Sequence, residues 1–148
     1  MKSVFDKPTR DQLIKRIDLL TESSKAQWGK MSVSQMLRHC VLCEEMYLGK
    51  TTTKRAFIGR VFGRLVLKKM LKDEKPLQQN APTYRAFVIH ETGVDLSSEK
   101  EKWIALVKQY AHYTNTDFVH WFFGKMTREQ VGQFVFKHTD HHLRQFGV

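Results

Sequence analysis

Cysteine, proline and long apolar runs are all scarce in this 148-residue chain, and each scarcity excludes something. Two cysteines, three residues apart, cannot build a disulfide framework, so a reducing cytoplasm is the expected compartment. The longest stretch without Asp, Glu, Lys or Arg is nine residues, Pro76 to Tyr84. A bilayer-spanning helix needs about 20 apolar residues, so no membrane span is expected. The opening Met1-Lys-Ser-Val-Phe-Asp-Lys-Pro8 lacks the apolar core of a secretory signal. Two of the three prolines, Pro76 and Pro82, fall in one stretch without helical period, 76–95, which reads as a loop.

The rest of the composition is that of a folded domain. Hydrophobic residues make up 41% and charged residues 27%, too apolar for a disordered chain. A chain of this length can bury roughly 68–70% of its unfolded surface, and one domain, 1–148, is expected. The net charge of +10 is local in origin. Between Lys50 and Lys75 stand nine Lys or Arg against Asp73 and Glu74, whereas the remainder carries sixteen against thirteen. A basic segment of this kind can meet phosphates or anionic lipid heads, or it can be a solvated helix face.

Four Ser or Thr residues are followed three positions later by Gln or Glu, the pattern that satisfies free amides at a helix start. They are Thr9/Gln12, Ser32/Gln35, Ser98/Glu101 and Thr127/Gln130. Each precedes apolar residues at helical period, as in Met36, Leu37, Cys40 and Val41 or in Val131, Phe134 and Val135. A fifth helix is expected over 54–72, with Phe57, Ile58, Val61, Phe62 and Leu65 as its apolar, buried face. Gly59 and Gly63 within it weaken the helix by about 1 kcal/mol each and suggest a bend or a close contact. The apolar connector Asn115 to Lys125 should lie against the helices. Together these elements predict an all-α protein: a four-helix bundle with an additional helix and a long crossover connection.

Chemistry concentrates in the histidines. In His138-Thr-Asp-His141-His142 the first and last lie about 40° apart on a helix, one turn above the other, a spacing that can grip one metal ion. Both continue the stripe of Val131, Phe134 and Val135, and His39 is a second inward candidate between Leu37 and Cys40. Three imidazoles from two helices would leave coordination positions open to water or substrate. The bland alternative is that these histidines are core residues with protein partners. A mixed site of Cys40, Cys43, His138 and His142 is a competing constellation. Against it, Cys40 lies deep inside the predicted helix, where packing is the commoner role of free cysteine.

The segment Trp28-Gly-Lys-Met-Ser-Val-Ser-Gln-Met-Leu-Arg-His39, taken with Lys137-His138-Thr-Asp-His-His142-Leu-Arg-Gln145-Phe146, resembles the DinB/YfiT-like superfamily. His120-Trp-Phe-Phe-Gly-Lys-Met-Thr127 is similar to a segment of one uncharacterised branch of it. The resemblance implies a four-helix bundle with a divalent metal, zinc or nickel, on three histidines that match His39, His138 and His142. It implies a metal-dependent enzyme of the thiol-dependent S-transferase kind, acting on a small molecule such as a low-molecular-weight thiol. Where members continue His-Arg-Gly-Gln, this chain has His142-Leu143-Arg144-Gln145, so a substrate contact at Arg144 does not carry over. A homodimer is compatible with this reading. The alternative function is a non-catalytic protein whose basic helix, with Arg60, Arg64, Lys68 and Lys72 every four residues, contacts nucleic acid or an anionic surface. No nucleic-acid motif accompanies that helix, so no specific nucleic-acid partner is expected.

Overall fold

Side-chain caps open three of the five helices of this chain. A computed structural model describes all 148 residues, with helices α1 (Lys7–Asp18), α2 (Val33–Tyr47), α3 (Phe57–Met70), α4 (Leu96–Gln109) and α5 (Arg128–Gln145). Ser32 and Thr127 form complete capping boxes, each accepting from the amide of a Gln whose side chain accepts from the cap's own amide. The other two starts differ from the expectation. α1 begins at Lys7 with Pro8 in its first turn, where a missing N–H costs nothing. α4 begins at Leu96, because Asp95 takes the amide of Ser98 at 2.6 Å and puts a negative charge at the helix N-terminus.

Helix α2 packs most extensively on α4, while α1 packs on α4 and α5, and α2 also meets α5. Their inward stripes make the core: Leu13 and Ile17, Met36 and Val41, Trp103 and Val107, Val135 and Leu143 are all essentially inaccessible. Each such side chain contributes about 1.5–3 kcal/mol on leaving water. Glu44 is buried among them, its carboxylate accepting from the Trp103 indole, the Tyr110 hydroxyl and the Thr139 hydroxyl.

The connector after α4 lies against this core, with Phe118, Phe123 and Met126 buried. It also contains a two-stranded antiparallel hairpin, β1 (Val119–His120) and β2 (Gly124–Lys125), with Val119 opposite Lys125 and His120 opposite Gly124. Strands of two residues are too short to show a period in the sequence.

Helix α3 reverses the expectation. Phe57, Ile58, Val61, Phe62 and Leu65 are more than half exposed, and its buried edge is Gly59, Gly63 and Leu67. The cause is the hairpin. α3 rests on it so closely that a Cβ at either glycine would collide with the carbonyl oxygen of Phe122. Only residues without a side chain admit a backbone at that distance, so the glycine edge faces in and the large side chains face out. No helix is long and apolar enough to cross a membrane.

Candidate metal centre

The inward stripes of α2 and α5 carry three imidazoles to one point. His39 stands on α2 and His138 and His142 on α5. Ring centroids are 4.9 Å apart for His39 and His142, 4.7 Å for His138 and His142, and 5.6 Å for His39 and His138. One nitrogen of each ring lies within 4.8 Å of the others. A zinc ion bound to nitrogens at about 2.0–2.1 Å holds them about 3.4 Å apart, so small side-chain rotations close the cluster to that separation. The structure thus brings together the three residues that the spacing argument names.

Two of the rings are oriented from behind. His39 Nδ1 lies 2.8 Å from the carbonyl oxygen of Phe87. A carbonyl only accepts, so Nδ1 carries the proton and Nε2 is left with its lone pair. His142 Nδ1 lies 2.9 Å from Gln145 Oε1, and the Gln145 amide nitrogen donates to the carbonyl of Trp28 at 2.9 Å. That chain fixes the amide orientation, so His142 also presents a bare Nε2. His138 is held by stacking with Phe134 and the edge of Tyr47 rather than by a hydrogen bond. Burial, reinforced by the other rings, pushes the pKa of His138 and His142 well below the ordinary histidine value. Burial lowers that of His39 as well. All three are therefore neutral at neutral pH, the state in which an imidazole binds a metal.

The triad lines a cavity of about 490 Å³ whose other walls are mainly apolar, among them Met31, Val66, Met70, Phe87, Trp121 and Phe122. His120 lines it too. Its Nδ1 accepts from the amides of Phe122, at 3.1 Å, and Phe123, at 3.2 Å, so the proton must sit on Nε2. Burial and the nearby Arg55 push its pKa down to about 3. This ring is a permanently neutral hydrogen-bond donor with no protein partner for its Nε2–H. In the sequence alone His120 reads as structural, or at best as a residue behind a ligand or on the substrate side. Its donor role depends on the tight hairpin turn, which carried no detectable pattern.

Cys43 Sγ is 3.6 Å from His39 Nε2 and lines the same cavity, but Cys40 points away toward Met36, so the two thiols do not join His138 and His142 in one four-ligand site. Burial raises both thiol pKa values well above normal, which leaves them protonated and unreactive. Glu44, one turn beyond Cys40, is buried in its own network of Trp103, Tyr110 and Thr139. Asp140 is occupied by Arg16 and Arg144, each at 2.7 Å. His141 packs between Trp28 and His142, and His90 and His112 are exposed.

The family described as Protein of unknown function (DUF1569) matches residues 4–147, and the chain belongs to it. No curated protein and no solved structure matches this chain.

Proposed function

We propose that this DUF1569 member is a metal-dependent enzyme of the DinB/YfiT-like kind, with one divalent ion, zinc or nickel, on His39, His138 and His142. The observation that carries the reading is three neutral ring nitrogens within 4.8 Å of one another in a mainly apolar cavity. Burying three imidazoles side by side costs desolvation that a packed aromatic would avoid, and a shared ligand offsets it. An ion held there supplies Lewis acidity toward a substrate thiol, the chemistry of thiol-dependent S-transfer.

The chain's own residues do the rest. Phe87 and Gln145 hold two ligands in the tautomer that presents Nε2. The aromatic walls accept the apolar body of a small substrate. His120 offers its Nε2–H to an oxygen or thiolate that gains charge, and its neutrality means that this donor does not vary with pH. The resemblance of the two histidine segments to the DinB/YfiT-like superfamily supports the same three positions.

Metal analysis of protein purified without a histidine tag, followed by zinc titration, tests this reading. One equivalent is expected in the wild type. His142→Ala should weaken binding by at least about 100-fold while the circular dichroism spectrum is retained. The neighbouring His141→Ala should bind as the wild type does. A folded wild type that takes up no zinc or nickel overturns the proposal.

A further inference from the structure

The exposed apolar face of α3 serves no purpose in a site buried elsewhere. Phe57 is 80% exposed, Leu65 66%, Ile58 63%, Val61 58% and Phe62 53%. Five large apolar side chains on one helix form a contiguous patch of the kind that marks an interaction surface. The charge around the patch identifies what it meets. Arg60 and Arg64 stand a turn apart along one flank, and Lys68 and Lys69 follow the patch at the C-terminal end of the helix. α3 contains no Asp or Glu, and none of its four basic residues has an ion-pair partner. The acids that follow are engaged elsewhere: Glu74 with the N-terminal amine and Asp73 with Lys72. Lys50, Lys54, Lys72 and Lys75 add exposed positive charge nearby.

We infer that α3 is an interfacial helix that docks this protein onto an anionic lipid bilayer surface. The apolar face enters the boundary of headgroups and acyl chains, while the Arg and Lys side chains reach the phosphates alongside. A second copy fits less well, because it would set two uncompensated basic helices against each other. Nucleic acid would take the charge and leave the apolar face in water. The docking helix is also a wall of the cavity, since Val66 and Met70 on its inner side line it, one and two turns beyond Phe62. This inference does not depend on the metal proposal.

Vesicle flotation tests it, using phosphatidylcholine vesicles with and without phosphatidylserine. The wild type should float with the anionic vesicles and stay behind with the neutral ones. Reversal of charge in Arg60→Glu/Arg64→Glu/Lys68→Glu, and loss of the apolar face in Phe57→Gln/Phe62→Gln/Leu65→Gln, should each lower binding by at least about tenfold. All six positions are exposed, so melting curves and zinc stoichiometry should match the wild type and exclude misfolding. Equal recovery on neutral vesicles overturns the inference, as does a wild type that binds neither. So does a dimer, seen by light scattering, that the glutamine variant dissociates.

Discussion

Helices α3 and α5 carry apolar residues at the same period and bury opposite kinds of face. In α5 the stripe of Val131, Phe134, Val135, His138 and His142 turns inward, and the helical wheel alone predicts the inner surface. In α3 an equally regular stripe turns outward and the glycines turn in. Periodicity establishes that a helix has two faces, but the neighbour decides which one is buried. Facing other helices, large side chains interdigitate and win. Facing the backbone of a tight hairpin, only glycine permits the approach, and the large side chains are left on the other side.

Acid should sharpen this contrast most, because it acts on the α2/α5 side and leaves α3 untouched. His39, His120, His138 and His142 all have folded pKa values below the unfolded value of about 6.5. Below that pH the unfolded chain binds protons that the folded one refuses, so stability is intact above it and declines as pH falls. Glu44 works the other way. Burial raises its pKa to about 7, so it favours the folded state increasingly as pH falls from about 7 toward the ordinary carboxylate range. These four histidines against one carboxylate leave a net loss of stability as pH falls from 7 to 4.5. Urea titrations across that range measure it. Saturating zinc should raise stability at pH 7 and do nothing at pH 4.5, and an unchanged urea midpoint across the range would contradict the burial of these rings.

A smaller effect is expected where α3 meets the hairpin. Gly63→Ala adds a methyl group against the Phe122 carbonyl, and a backbone atom cannot rotate aside. Overpacking should cost more than the roughly 1 kcal/mol of helix propensity that alanine gains, for a net loss of about 2 kcal/mol. Hydrogen exchange should quicken in α3 and the hairpin before the α2/α4 core responds. A stabilised variant would mean that the close contact is not what orients the helix.

These differences also show which parts of the molecule are legible in the sequence. The helices and two of their caps follow from periodicity and from Ser32/Gln35 and Thr127/Gln130, because those interactions are local. The histidine cluster follows from two inward stripes, since i, i+4 residues on one helix and a single position on another need only adjacency to converge. The starts of α1 and α4 depart from that pattern because a Ser or Thr three residues before Gln or Glu competes with Pro8 and Asp95 close by. The orientation of α3, the tautomer of His120 and the isolation of Glu44 depend on a hairpin of four paired residues and on contacts across the fold, and none of these leaves a local pattern.

The smallest expected effect is the one that most directly separates the two helices. On α5, shortening Val135 or Leu143, both fully buried, would leave a cavity and cost about 2–5 kcal/mol on truncation to alanine. On α3, Phe57→Gln and Leu65→Gln exchange exposed side chains for a good helix former, and each should change stability by less than about 0.5 kcal/mol. Denaturation at low and high protein concentration gives the measurement. If the free protein is a monomer with this face in solvent, the small effect is independent of concentration. A loss of 2 kcal/mol or more that grows with concentration would mean that a second copy covers the face, and the contrast between α3 and α5 would then be one of partner rather than of burial.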